Sequence, residues 1–325
     1  VNASYDKNGA VVVLPPVSNG RLANRRLRTW LAQSDLSFMP AREELLLQVT
    51  RELGLPYPED GLAALRMWGQ TGDRTASWIA AADPVYLEPR LDHLCLHAHR
   101  RAGVPHSQLR RLIDHLQTAL GDDDQFGFTR LSSYGYLCST TPIATAAMPA
   151  YVVDQQKPDD YLPTGDDTAT HRNLLSEIEM ALHEHAVNQE REAAGQRPVN
   201  SLWLWGGGTA PEQITRPQPP LFTDDALLTG YWYSSTAVAE PWIGSIDACI
   251  EASVAGFVAA TPLQDDTPEL LEQCLLELKA ALRSGRLSSL TLLFRDGVRA
   301  HIKKSHSLRL WRRNSPYLEV TQGEG

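Results

Sequence analysis

The chain has 325 residues, of which 42% are hydrophobic and 21% charged, so it lies in the globular range and can bury a large core without disulfides or metals. With 39 acidic residues against 30 basic ones the net charge is −9, which excludes a general attraction to nucleic acid. No apolar run approaches the roughly 20 residues that span a bilayer, and VNASYDKNG has no basic-then-apolar leader layout, so no membrane association and a cytoplasmic location are expected.

Residues 10–14 (AVVVL) read as a strand buried on both faces, ended by Pro15-Pro16 and an Asn19-Gly20 turn. A helix is expected over 21–32, with Leu22, Leu27, Trp30 and Leu31 on one side. A second runs from Pro40 over 41–53 to a stop at Gly54, and a third covers about 60–68. WIAAADPVYLEP and LDHLCLHAH then read as two strands around Pro89. Residues 106–120 carry Leu109, Leu112, Ile113, Leu116 and Leu120 at helical spacing, and FGFTRLS with YGYLCST forms a hairpin. Residues 78–140 therefore read as an antiparallel ββαββ insertion lobe.

The stretch 141–168 has the prolines and acidic pairs of a loop. One continuous helix is expected over 170–193, stopped by Gly195, followed by a strand over 201–205 and a turn at Gly206, Gly207 and Gly208. Asp224 or Asp225 caps a helix over ALLTGYW, and 256–261 is a further buried strand. Thr267 caps a helix over 268–283. LSSLTLLFRDG and VRAHIKK pair around Asp296-Gly297, and SLRLWRR is a last strand or edge segment. Alternating strands and helices make the fold class α/β, a partly parallel sheet flanked by helices, with its two parts at 1–77 and 141–325 around the lobe and a terminal hairpin.

Each candidate for chemistry has a structural alternative. The amides of Gly206, Gly207 and Gly208 suit an anion, yet the stretch lacks the Lys-Ser/Thr of a P-loop, and a tight structural turn that lets backbone approach backbone is the favoured explanation of the glycines. Asn188, Arg191 and Asn200 either contribute to ligand binding there or lock the helix–strand junction through backbone hydrogen bonds. His183 and His185 point about 200° apart on a helix and cannot share a metal unless that helix breaks between them. The pairs Asp159-Asp160, Asp166-Asp167, Asp224-Asp225 and Asp265-Asp266 are metal-ligand or N-cap candidates, with Asp224 and Asp225 the most interesting. Ser18 is the only serine at a strand-to-helix turn, and no GxSxG elbow exists. Trp203, Trp205, Trp232, Trp242, Tyr231 and Tyr233 are core or pocket wall, or else a partner surface. The basic cluster Arg21 to Arg28 reads as a solvated helix face, and a second cluster spans Arg309 to Arg313. Cys95, Cys138, Cys249 and Cys274 show no CxxC pairing and are expected as reduced core thiols rather than a zinc site.

The segment LLSEIEMALHEHAVNQEREAAGQRPVNSLWLWGGG resembles the corresponding stretch of the archaeal-type, cofactor-independent phosphoglycerate mutases of the alkaline-phosphatase-like superfamily. ADPVYLEP, FTDDALLTG, LRSGRLSSLTLLFRDG and SLRLWRR extend the resemblance, which is closer to the RpfE-type regulatory proteins of proteobacteria. The resemblance implies an alkaline-phosphatase-like fold. In the enzymes it also implies two divalent cations (manganese, zinc or magnesium) held by aspartates and histidines beside a phosphorylated serine or threonine. Here the first strand runs into Pro15-Pro16 where the enzymes have a metal-binding aspartate, and no nucleophile segment is recognised. The leading expectation is a non-catalytic regulatory or binding protein with no cofactor, whose partner is a protein or a phosphorylated small molecule. An active mutase holding the two cations and a protein-interaction module are the alternatives.

Overall fold

A computed structural model describes residues 6–39, 43–99, 103–122, 124–165, 168–211, 218–235, 237–253 and 255–318. Its strands are β1 (Ala10–Leu14), β2 (Asp35–Phe38), β3 (Trp78–Pro89), β4 (Leu94–Ala98), β5 (Phe126–Leu131) and β6 (Tyr134–Ser139). They continue with β7 (Ser201–Gly208), β8 (Leu221–Thr223), β9 (Ala239–Glu240), β10 (Phe257–Ala260), β11 (Ser289–Phe294) and β12 (Val298–Lys303). The helices are α1 (Arg25–Ala32), α2 (Leu45–Leu53), α3 (Leu62–Thr71), α4 (His106–Leu120) and α5 (Ala150–Val153). After them come α6 (Thr168–Leu182), α7 (Ala186–Ala193), α8 (Ala226–Tyr233), α9 (Ile246–Ala252) and α10 (Pro268–Ser284).

One unit comprises Val1–Tyr57 and Gln213–Gly325. Its sheet runs in the order β2-β12-β11-β1-β10-β8-β9, parallel from β11 through β9 and antiparallel at β12. β1 is central because AVVVL is apolar throughout, and all five residues are buried, as a strand covered on both faces requires. Leu27 and Leu31 of α1 and Leu271, Leu275 and Leu278 of α10 bury against Val12, Leu14, Leu290 and Leu292. Burying a leucine in such a core contributes about 1.5–3 kcal/mol. The β11–β12 turn needs glycine at 297, where φ is 89° and a Cβ would sit 2.4 Å from the Met39 carbonyl oxygen.

The other unit is Pro58–Glu212. Its sheet has the order β4-β3-β6-β5, with β7 adding to β3, and every pairing is antiparallel. Leu109, Leu112, Ile113 and Leu116 of α4 and Ile178 and Leu182 of α6 pack on Ala80, Ala82, Leu202 and Leu204 of the sheet. The stretch 78–140 supplies four strands of this sheet, and β7 comes from beyond it. The expected class is borne out as a mixed α/β chain: a partly parallel sheet flanked by helices, and a separate antiparallel sheet.

Several elements differ from expectation for local reasons. α1 begins at Arg25 rather than 21, because the Asn24 side chain accepts from Arg26 and Leu27 N–H and starts the helix there. α2 begins at Leu45, capped by Glu44; the expected start at Pro40 and the pair Asp166-Asp167 lie outside the described residues. The helix expected over 170–193 is two helices. Glu184 adopts a left-handed φ of 59°, and His185 caps α7 by accepting from Val187 N–H. The glycines 206–208 are not a turn but the end of β7, still paired with β3 through Gly208 and Ile79. SLRLWRR forms no strand: a 3-10 turn covers Lys304–Leu308, and Leu308, Leu310 and Trp311 are exposed.

Candidate functional site

Open parallel sheets gather chemistry at the carboxyl ends of their strands. In the partly parallel sheet those ends are Leu14, Thr223, Glu240, Ala260 and Phe294, followed by Pro15, Asp224, Pro241, Thr261 and Arg295. Arg295 occupies this edge. Its guanidinium donates to the Thr261 hydroxyl at 3.1 Å, to the Thr261 carbonyl and to the Asp266 carboxylate, while its backbone N–H donates to Leu14 O. Asp296 accepts from the N–H groups of Val17 and Ser18 at 2.8 and 2.7 Å, closing the loop after β1. Ser18 thus serves in a turn. Asp225 caps α8 by accepting from Leu227 and Leu228 N–H at 3.0 and 2.9 Å, and Asp224 accepts from Trp242 N–H at 3.2 Å.

Two hard divalent cations close together need several anionic oxygens free to converge. Here Asp266 is paired with Arg295 and Asp225 holds backbone amides, while Asp296 holds two amides through Oδ2 and its buried Oδ1 has no partner among the described residues. Two prolines follow β1. The oxygen donors of this edge are thus depleted after β1 and β11, where Pro15 and Arg295 stand.

The segment from His183 to Gly208 is built differently. The Asn188 amide nitrogen donates to Leu182 O and Val199 O at 3.0 and 2.8 Å, and its oxygen accepts from Val199 N–H at 2.8 Å. Arg191 donates to Arg197 O and to Gln108 Oε1, both at 2.8 Å. Asn200 pairs with both backbone groups of Leu87. These are the contacts of the junction-locking alternative, and they bind α7 to β7 and β7 to β3. The glycines lie in close approach: a Cβ on Gly207 would meet Trp78 Cζ2 at 2.4 Å, and one on Gly208 would meet Gly61 N at 2.4 Å. Gly206 N–H donates to Ala146 O and Gly207 N–H to the Thr145 hydroxyl, both at 3.0 Å.

The helix does break between His183 and His185, the one condition under which they could share a metal. Yet the His185 ring sits 4.8 Å from the His115 ring and caps α7, and His183 is exposed. His171 is buried and its Nδ1–H donates to Ala144 O at 2.8 Å; burial holds its pKa below the usual histidine range. Trp203, Trp205, Trp232 and Tyr231 are core, whereas Tyr233 is partly exposed. Beneath Trp205 lies a buried ion pair that the sequence reading missed. Arg66 contacts Asp83 at 2.8 Å, lies 4.7 to 5.3 Å from the centres of the Tyr134, Tyr136 and Trp205 rings, and donates to Gly135 O.

The two basic clusters meet in space. Arg25, Arg28 and Thr29 of α1 face Arg313, Asn314 and Ser315 across a cavity of about 270 Å³ that no carboxylate of the described residues lines. The signal was present as two Arg-rich stretches, but they are nearly 300 residues apart in sequence. Arg21 lies before the helix and donates to Asp266 O.

No family model matches the sequence. Among characterised proteins the chain is similar to the 2,3-bisphosphoglycerate-independent phosphoglycerate mutase of Methanosarcina barkeri, 28% identical over 111 residues, covering 34% of this chain and 28% of that protein. The Methanosarcina acetivorans enzyme of the same name is 37% identical over 68 residues, 21% of this chain and 17% of its own. A probable enzyme of this name from Geobacter sulfurreducens is 26% identical over 133 residues, 40% of this chain and 33% of its own. The chain therefore matches a third or less of the length of these relatives. Among solved structures, the cofactor-independent phosphoglycerate mutase of Thermoplasma acidophilum aligns over 92% of this chain and 90% of its own, at 17% identity and a TM-score of 0.42. Over part of its length, the chain is a homologue of the cofactor-independent phosphoglycerate mutases.

Proposed function

We propose that this protein is a phosphoglycerate-mutase-like protein that performs no phosphoryl transfer and serves as a regulatory or binding protein, of RpfE type, in a bacterial cytoplasm. The observation that carries the reading is the commitment of the strand-end carboxylates. Asp225 and Asp296 each hold two backbone amides, Asp266 is paired with the Arg295 guanidinium, and Pro15 follows β1, which leaves few carboxylate oxygens converging there for two cations. Phosphoryl transfer depends on positive charge placed on the moving group and on an activated hydroxyl. Ser18, the one hydroxyl the sequence suggested, lies in a turn held by Asp296.

The ligand favoured is a phosphorylated small molecule, because Arg25, Arg28 and Arg313 line a cavity large enough for one and bring three cations to it. A protein partner is the other reading, favoured by the exposed Leu308, Leu310 and Trp311. Interconversion of 2- and 3-phosphoglycerate, followed by a coupled assay with manganese, zinc or magnesium, tests the main claim. No turnover above the enzyme-free control is expected, and metal-dependent turnover removed by Asp225→Asn would make the chain an active mutase. Calorimetric titration with 3-phosphoglycerate tests the ligand class. Binding that weakens at least tenfold in Arg28→Ala and Arg313→Ala is expected; binding unchanged in both would move the ligand elsewhere.

A further inference from the structure

The β3–β4 hairpin of the antiparallel sheet carries a group of side chains apart from the strand ends of the parallel sheet. In an antiparallel ladder, residues directly opposite each other project on the same face, as do residues two apart along one strand. Glu88 is opposite Cys95 and Tyr86 is opposite His97, so Glu88, Cys95, His97 and Tyr86 share one face. The carboxylate, thiol and imidazole ligand atoms all lie within 4.8 Å of one another, and among the described residues no other trio of ligating side chains is so close.

Three features order the group. His97 is 7% exposed, and its Nε2 lies 2.7 Å from Glu88 Oε2. The Tyr86 ring stacks on the His97 ring with centroids 6.0 Å apart, which fixes the imidazole plane. Arg90 reaches Glu88 from the same strand end at 2.6 Å, so the carboxylate already attracts a cation. Ligand atoms around a tetrahedral zinc ion stand about 3–4 Å apart, given bonds of about 2.0–2.3 Å. Small side-chain rotations close the observed spacing to that range.

We propose that Glu88, Cys95 and His97 bind one thiophilic divalent cation, of which zinc fits best. The donor set decides the metal class. A thiolate and an imidazole beside one carboxylate suit zinc and its neighbours, whereas magnesium and calcium take oxygen ligands. On binding, the hydrated cation exchanges waters for Glu88, Cys95 and His97: the Cys95 thiol releases its proton to solvent, the hydrogen bond between His97 and Glu88 breaks so that an unprotonated imidazole nitrogen can ligate, and Arg90 gives up Glu88. A water completes four-coordination. The reading without a metal is a Glu88–His97 hydrogen bond in which Cys95 takes no part, so the thiol is the discriminating group.

Cobalt(II) substitution reads it out. Titration of the chelator-treated full chain should give a sulfur-to-cobalt charge-transfer band saturating at one equivalent, displaced by zinc, lost in Cys95→Ser and kept in Cys138→Ser. Absence of the band, or a band kept in Cys95→Ser, overturns the proposal. Iodoacetamide labelling mapped by mass spectrometry gives a readout on the unmutated protein. Zinc should slow alkylation of Cys95 at least tenfold and leave Cys138 unchanged; equal Cys95 rates with and without zinc overturn it.

Discussion

Replacing Asn188 with alanine separates a residue that holds the α7–β7 junction from one that binds a ligand. The side chain makes three hydrogen bonds, to Leu182 O, Val199 O and Val199 N–H, and it is buried. At a net contribution of about 1 kcal/mol per neutral bond the loss is about 3 kcal/mol, and more if the abandoned Val199 groups find no water. For a unit of this size that lowers the melting temperature by about 6–12 °C. Thermal unfolding followed by tryptophan fluorescence reports on it, because Trp203 and Trp205 lie in β7 itself. A melting temperature within about 1 °C of wild type would refute the reasoning. Lost 3-phosphoglycerate binding at unchanged stability would assign Asn188 to a ligand site instead.

Gly207→Ala places a Cβ against Trp78 and Thr145, and should cost about 1–3 kcal/mol in urea unfolding; Gly195→Ala, whose Cβ meets open space, should cost only the left-handed backbone strain, about 1 kcal/mol. Arg66→Ala leaves the Asp83 carboxylate without its buried partner and should cost about 3–5 kcal/mol by the same measurement. Burial, and then the Arg191 charge, hold His99 down to about 4 from its ordinary 6.5. The unfolded chain therefore takes up a proton that the folded chain refuses. The contribution is complete above about pH 6.5 and drains away as pH falls towards about 4, so His99→Gln should flatten the pH dependence of the urea midpoint across that window.

Where a residue's neighbours in sequence determine its conformation, the sequence was readable. Thr267, Pro268 and Gly285 bracket α10 as expected, Asp296-Gly297 makes the β11–β12 turn, and the spacing of Leu109 to Leu116 gives α4 over the expected range. Tertiary contacts hid the rest. The α6–α7 break falls within an apparently continuous helical pattern, since it depends on Glu184 adopting a positive φ and on Asn188 reaching Val199. β2 was missed because it is an edge strand whose four residues are exposed or half-buried, leaving no alternation to detect. The triplet WGGG suggests a turn because glycine usually serves one; here it serves close approach to Trp78 and Gly61. The strand-end role of Arg295 had no signal beyond its place before the Asp-Gly turn. The Glu88–Cys95–His97 face became visible only once the hairpin register set Glu88 opposite Cys95.

The central claim is that the strand ends of the parallel sheet cannot assemble a catalytic cation pair. Equilibrium dialysis of manganese against the Cys95→Ser protein tests it most directly, because that substitution removes the hairpin's thiolate from the count. The account predicts no manganese retained after exchange into metal-free buffer. Two manganese ions per chain, released by Asp225→Asn or Asp266→Asn, would contradict it.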